Sequence, residues 1–365
     1  MECLGTKRGA GEMKAAVVHG LNDIRIDEVP MPEIGPAQVL VRVGAAGVCS
    51  TDVKTLAGLS PPRTVPAILG HEVAGLIVET GPEVDDWQVG QRVAVYPIAA
   101  CGGCFYCLVG RHSLCLREYG LGRGADGAFA EYLAVPSEVL SLGGLVDIGD
   151  TPYATATLIE PLSCVLAAAR QCSTGEGSSV VVVGCGPMGL LHVYANQHLG
   201  AKVVAVDMNA ERLEHARRLG AQAALNPERD SVRKGVLEAT EGLGADIVIA
   251  AVGFVDAVCQ SFDYVRPGGV LNVFGGTPRG DMMTVDPRWL HYGEITLTGT
   301  FASSVQDFRE AWARLQEDPE PVNSIVSHHC RLDDIVAAVD RVRTGRGTKT
   351  IVVFDETPGD TTSPH

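Results

Sequence analysis

Between Val180 and Gly189 four valines run into three glycines, Val-Val-Val-Val-Gly184-Cys-Gly186-Pro-Met-Gly189, and no other passage limits the fold so strongly. A continuous β-branched run suits a strand buried on both faces of a parallel sheet. Glycines at G-x-G-x-x-G spacing suit a strand that turns tightly into a helix. Gly184 permits the turn, Gly186 lets a pyrophosphate approach the backbone, and Gly189 lets helix and strand pack closely. The helix N-terminus, with Pro187 and Met188 in its first turn, favours the negative charge. The next strand, 202–207, ends on Asp207, eighteen residues past Gly189. A carboxylate there accepts hydrogen bonds from an adenosine ribose and repels a 2′-phosphate, which favours NAD over NADP. The other reading of Asp207 is a cap or turn residue before the helix at 210–219. Arg212 either lies against an adenine or is solvated.

Around this unit the chain divides by rhythm. Residues 13–162 carry short β-like runs at 14–18, 39–45, 73–80, 92–95 and 128–135, broken by Gly, Pro, Asp and Asn, which predicts a β-rich, barrel-type domain. From 163 to 302 strands (179–183, 202–207, 245–250, 270–275) alternate with helices (189–198, 210–219). That alternation predicts an α/β fold, a doubly wound parallel sheet. The remainder, 303–365, has a helix at 305–315, a strand at 325–331, a helix at 332–344 and a strand at 350–354. It is too short to fold alone and is expected to return to the first domain. Residues 1–12 read as a disordered extension, with Met13 as a candidate natural start, and the residues from Glu356 read as frayed.

Composition narrows the partners. A net charge of −15 argues against nucleic acid and anionic membrane. The N-terminal residues lack the apolar segment of a signal peptide, and no run approaches a membrane span. A cytoplasmic location follows as the expectation, one in which the 11 cysteines stay reduced and serve metals.

Four of those cysteines, Cys101, Cys104, Cys107 and Cys115, stand at C-x2-C-x2-C-x7-C spacing. Thiolates this close can surround one Zn²⁺ tetrahedrally, and with all four positions filled by protein such a zinc is structural. The alternative is a reduced or disulfide-bearing loop. A second set is more scattered: Cys49 in G-V-C-S-T-D, His71 and Glu72 in L-G-H-E-V-A-G, and Glu160 in L-I-E-P-L-S. Each alone is ambiguous, since a lone buried Cys or His is more often core than ligand.

Taken together, these motifs resemble the zinc-dependent medium-chain alcohol dehydrogenases, over nearly the whole chain from Met13 to Phe354. The fold implied is a GroES-like catalytic domain joined to a Rossmann domain. Within the family the chain is similar to the sorbitol-type polyol and diol dehydrogenases, whose signature is Cys, His and Glu of H-E with a further Glu in E-P. The resemblance implies two zinc ions per chain. Cys49 and His71 would ligate the catalytic zinc, with Glu72 and Glu160 supplying carboxylate directly or through water; Cys164 is a conceivable substitute ligand, but its position four residues beyond E-P suits a packed helix residue better. It also implies NAD, held by the glycine loop together with Val252, Gly253, Phe274, Gly275 and Thr300, and by Lys349 at the pyrophosphate.

The implied reaction is hydride transfer from a secondary alcohol. Thr51, two residues after Cys49, would start the proton relay, with a local backbone hydrogen bond as its alternative role; Asp52 would orient the loop. The family's terminal relay histidine is replaced by Lys54, so either Lys54 or water ends the relay. The family's Arg after Phe is also missing in Gly299-Thr300-Phe301-Ala302, so sorbitol itself is disfavoured. Polyols, cyclitols, sugar alcohols and diols remain. Thr51, Leu59, Phe129 and Phe301 are expected to contribute to the substrate pocket. Two other readings stand beside this one: an amino-alcohol (threonine-type) dehydrogenase and a non-catalytic zinc/NAD redox sensor. By resemblance the partner besides substrate is a further copy of the chain, as homodimer or homotetramer, paired near 270–275 and 296–301.

Overall fold

The computed structural model describes residues 11–59 and 64–354, in two compact units. The expected extension at 1–12 lies outside the described residues except for its end, where Glu12 already belongs to a strand; the tail from Glu356 lies wholly outside them.

The first unit takes in residues 1–158 and 327–365. Its main sheet has seven strands. Six run in the order Leu145–Asp147, Arg92–Val95, Glu72–Thr80, Val39–Val48, Lys349–Val353, Val326–Cys330, and Tyr132–Val135 also pairs with Val39–Val48. The pairing of Val39–Val48 with Glu72–Thr80 slips twice, at Leu40/Val41 and Val43/Ala45. Such bulges bend strands and raise their twist, which lets a sheet of this size curl around its own core. Val39, Val41, Ile77, Val93, Val95 and Ile351 fill that core with no exposed surface. A second sheet orders Asp23–Pro30, Glu12–Gly20 and Ala67–Ile68. Helix Ser50–Leu56 packs against helix Ile335–Arg343, so the C-terminal segment does close back onto the first domain.

Two expectations need correction here. Residues 128–131 lie outside the strand Tyr132–Val135: Ala128 and Phe129 donate their N–H groups to Gly70 and Leu69 at 2.9 Å each, apart from any ladder. Phe129 is fully buried, so it is core and does not line a substrate pocket.

The second unit takes in residues 159–326. Its six strands are all parallel, in the order Ala223–Leu225, Lys202–Val206, Ser179–Val183, Ala245–Ala250, Val265–Val273, Thr296–Gly299. Numbered along the chain this is 3-2-1-4-5-6, the order of dinucleotide-binding doubly wound sheets. Val181, Val182, Val248, Ile249 and Leu271 are fully buried, as the unbroken apolar runs require.

The units divide at 159 and 327, whereas the sequence suggests 163 and 303. Residues 303–326 stay with the second unit because helix Val305–Glu317 packs on helix Ile159–Gln171. Arg170 clamps Asp307 there with two parallel hydrogen bonds of 2.9 Å. No helix among the described residues is long and apolar enough to cross a membrane.

Candidate active site

The four-cysteine loop hangs from the short strands Ile98–Ala99 and Tyr119–Leu121 of the first unit. All four sulfurs lie within 4.8 Å of one another, with Cys104–Cys107 at 3.5 Å and Cys101–Cys107 at 3.9 Å. A tetrahedron with metal–sulfur bonds of about 2.3 Å has edges of about 3.8 Å, so these separations fit zinc. The thiols are free, which rules out the disulfide-bearing alternative. Main-chain N–H groups of Cys101 and Arg117 point at the Cys115 sulfur, at 3.3 and 3.4 Å. Those of Gly103 and Cys104 serve Cys101, Leu116 and Cys107 serve Cys104, and Gly102 serves Cys107. This cradle suits thiolates. The Gly103 N–H and then the Arg117 guanidinium hold Cys101 down to about 6, while burial pushes Cys107 up to about 12.

A second group of metal-capable side chains in the same unit is Cys49, His71 and Glu72, also within 4.8 Å of one another. Cys49 follows strand Val39–Val48 and caps helix Ser50–Leu56; its N–H donates to Asp52 Oδ2 at 2.8 Å. The other Asp52 oxygen lies 3.5 Å from His71 Nδ1. Asp52 is only 2 % exposed, so one buried carboxylate fixes both the loop of Cys49 and the ring of His71. Burial opposes a charge on His71, yet Asp52 and Cys49 outweigh it and hold the imidazole well above its usual range. Thr51 Oγ1 lies 3.6 Å from Cys49 Sγ. Lys54 sits in the last turn of the same helix.

Glu72 is fully buried opposite Gly47, where any Cβ would collide with its carboxylate. Its counter-charge is Lys349, whose Nζ forms an ion pair with Oε2 and donates to the Val48 carbonyl at 3.2 Å. Here the structure adds to the sequence reading. Lys349 is buried and paired with the carboxylate beside Cys49 and His71, a partner that the sequence reading did not give it. The fourth expected ligand, Glu160, belongs to the second unit, in the first turn of helix Ile159–Gln171. It is buried, and the Cys164 thiol donates to its Oε1 at 3.5 Å.

In the second unit the glycine loop links strand Ser179–Val183 to helix Pro187–His198. Gly184 has φ +91°, and a Cβ there would strike Val252; a Cβ at Gly189 would strike the Gly184 carbonyl. Gly186 is different. Its φ of −65° suits any residue, and nothing lies within 4 Å of where its Cβ would be. Protein packing therefore does not require glycine at 186; the open space beside a helix N-terminus suits an approaching phosphate. Gly186→Ala is expected to leave stability unchanged or raise it by about 0.4–1 kcal/mol, while weakening NAD binding about tenfold or more, near 1.4 kcal/mol. Calorimetric titration and thermal unfolding of the same sample measure both, and undiminished affinity would remove the cradle role.

Asp207 follows strand Lys202–Val206 and accepts from Cys185 N in the glycine loop at 2.6 Å and from Asn209 N at 2.7 Å. The cap of helix Ala210–Arg218 is Asn209, which accepts from Glu211 N and Arg212 N at 2.9 and 3.1 Å. Asp207 is thus tied to the loop and is not the cap. The other expected cofactor residues also gather at carboxyl ends of strands. Val252 and Gly253 follow Ala245–Ala250; Phe274 and Gly275 follow Val265–Val273 and donate back to the Ala250 carbonyl at 3.1 and 2.8 Å; Thr300 follows Thr296–Gly299. Ligands of open α/β sheets bind at this edge. Sequence reasoning missed the support behind it. His192, fully buried on the loop's helix, sets its ring 4.4 Å from Phe274, and Asn272 donates to Thr300 Oγ1 at 2.8 Å.

Comparison with known proteins agrees with this architecture. Residues 35–143 match the alcohol dehydrogenase GroES-like domain, and residues 187–317 match the zinc-binding dehydrogenase domain. A sorbitol dehydrogenase of Halalkalibacterium halodurans is 32 % identical over 348 residues, spanning 93 % of this chain and 99 % of that protein. An L-threonine 3-dehydrogenase of Mesorhizobium japonicum is 31 % identical, over 90 % of this chain and 95 % of that one. Among solved structures, a zinc-binding dehydrogenase from Sinorhizobium meliloti bound to NADP superposes with a TM-score of 0.87 at 30 % identity, covering 94 % of this chain and all of that one.

Proposed function

Because the chain belongs to the zinc-dependent medium-chain alcohol dehydrogenase family, we propose that it oxidises a polyol, sugar alcohol or diol at a secondary carbon, with the hydride passing to NAD. The observation that carries this is the Cys49–His71–Glu72 group, backed by Asp52 and Lys349, in a chain that also has a closed four-cysteine loop and an open glycine cradle. Cys49 and His71 would hold the catalytic zinc, with Glu72 as carboxylate ligand. When bound, zinc supplies Lewis acidity to the alcohol oxygen and the nicotinamide accepts the hydride.

The chain's own residues do the rest. Asp52 orients His71 and Cys49, so the ligand geometry is set before substrate arrives. Thr51 takes the alcohol proton, and Lys54 or water carries it onward. Lys349 supplies the counter-charge to Glu72 in a site without other donors to it among the described residues. Asp207 at the glycine loop supports NAD over NADP, since a second negative charge beside a carboxylate is repelled.

The substrate carries a hydroxyl or amine next to the reacting carbon; a buried carboxylate such as Glu160 can accept a hydrogen bond from either. An amino-alcohol substrate of the threonine type is the second reading, favoured by relatives of both kinds matching at nearly equal identity. A reducing cytoplasm suits the free thiols. Pairing of copies is proposed along strand Thr296–Gly299, one edge of the parallel sheet.

NAD⁺ and NADP⁺ reduction by zinc-loaded protein over polyols, cyclitols, diols, amino alcohols and plain secondary alcohols tests the reading. Turnover with NAD⁺ on polyols or diols, abolished in Cys49→Ala, is the expected result. Amino alcohols as best substrates would select the second reading. Equal rates on plain alcohols would sink the need for a neighbouring group, and no turnover on any class would sink the enzyme.

A further inference from the structure

Strand Thr296–Gly299 ends the parallel sheet, and its one strand neighbour among the described residues is Val265–Val273. A last strand is held on one side only, so the place of its end needs another support. A side chain from elsewhere in the unit supplies it. Gln171, the last residue of helix Ile159–Gln171, stands 127 to 129 positions before the residues it meets. Its Nε2 donates to Thr298 Oγ1 at 2.6 Å and to the Gly299 carbonyl at 2.9 Å, and its Oε1 accepts from Thr300 Oγ1 at 3.2 Å. One planar amide thus grips three consecutive residues. Fully buried Asn272, on the neighbouring strand, donates to Thr300 Oγ1 at 2.8 Å. The Thr300 hydroxyl therefore gives its one proton to Gln171 and has none left for a ligand. Two residues on, Ala302 has φ +55°, a left-handed conformation that a residue with a Cβ keeps only where its surroundings hold it. Ser304 then caps helix Val305–Glu317, accepting from Asp307 N at 3.2 Å. Thr300 and Phe301 stand between these two fixed points.

We infer that Gln171 is a positioning residue for the nicotinamide half of the cofactor, a role that rests on the dinucleotide reading above. Its amide sets the course of the chain through Thr300 and Phe301. A sheet of order 3-2-1-4-5-6 is two mononucleotide-binding halves that meet at a crevice. The glycine loop and Asp207, at the ends of the first two strands, mark the half that takes the adenosine. The nicotinamide nucleoside falls to the other half, strands four to six, and Thr298 and Gly299 end the sixth. With the Thr300 proton committed, this segment meets a ligand chiefly through main-chain groups, and Gln171 controls where those groups lie.

The test compares NADH with ADP-ribose, which lacks the nicotinamide, by calorimetric titration of the full-length, zinc-loaded protein. Gln171→Met keeps the length of the side chain and removes its hydrogen bonds to residues 298–300. It is expected to weaken NADH binding about five- to tenfold, the worth of one net hydrogen bond, while ADP-ribose stays within about twofold of the parent. Thr300→Val, which takes away the hydroxyl between Asn272 and Gln171, should move NADH in the same direction, and Thr300→Ser should bind as the parent does. Equal weakening of both ligands by Gln171→Met would overturn the inference, since Gln171 would then support the unit at large. So would NADH binding by Gln171→Met within about twofold of the parent. A parent protein that binds neither ligand would sink the dinucleotide reading itself, and the role of Gln171 with it.

Discussion

Lys349→Met is expected to destabilise the first unit by about 3–5 kcal/mol, the cost of leaving one member of a buried ion pair without its partner. Glu72 is fully buried, its carboxylate has no hydrogen-bond donor among the described residues beyond the Lys349 contact, and Gly47 closes the space opposite it. The carboxylate cannot turn to water, so it would be left buried without a partner. The double variant Glu72→Gln/Lys349→Met removes both charges and should recover most of the loss. Denaturant unfolding of these proteins together with Glu72→Gln alone, four proteins with the parent, completes a double-mutant cycle. If Lys349→Met falls within about 1 kcal/mol of the parent, the pair is not the counter-charge argued for it. Turnover should fall as well, since the Glu72 carboxylate loses its anchor beside Cys49 and His71.

Cys107→Ser is expected to remove one zinc of two and to open the lobe it holds. Serine offers no thiolate, and the apparent binding free energy of structural zinc sites, about 10–16 kcal/mol in small peptides, doubles as folding free energy. The lobe has little else to hold it. From Cys101 to Arg117 only Cys107 and Cys115 are buried, while Phe105, Leu108, Val109 and Leu116 are more than half exposed. Elemental analysis should fall from two zinc ions per chain to one, and limited proteolysis should cut within the loop. Retention of two ions by an uncut Cys107→Ser protein would mean that packing, and not metal, shapes this segment.

Much of this was legible because its physics is local. Cysteine spacing and the glycine loop with its strand and helix are set by neighbours in sequence. Strands at 92–95, 179–183 and 245–250 coincide with those observed because each is a bounded apolar run. Helix Ile159–Gln171 was legible only through Cys164, read as a packed helix residue, and its extent was not, because eleven of its thirteen residues are buried, leaving no polar face to give a period. Strand Asp23–Pro30 escaped for the opposite reason: it is charged, sits at a sheet edge and has no fully buried residue. The domain boundary shifted to 327 because the contact that decides it, Arg170 with Asp307, joins residues 137 positions apart. The partner of Lys349 stayed hidden for the same kind of reason. A lysine in a Gly-Arg-Gly-Thr-Lys run reads as solvent-facing or ligand-facing, and only the sheet order reveals that it lies beside Glu72.

That sheet order also bears on how the protein is made. Strand Lys349–Val353 is interior, with Val39–Val48 on one side and Val326–Cys330 on the other, and Lys349 meets the Val48 carbonyl across 301 positions of chain. On a ribosome adding about 5–20 residues per second, Val48 and Glu72 emerge on the order of 15–60 s before the strand that completes their sheet. During that interval the nascent first unit has an open edge at Val39–Val48 and an acid without its base. The second unit, continuous from 159 to 326, can fold meanwhile. Vectorial synthesis thus finishes the inserted unit before the one that began first, and the edge left waiting is where a chaperone would have most to cover.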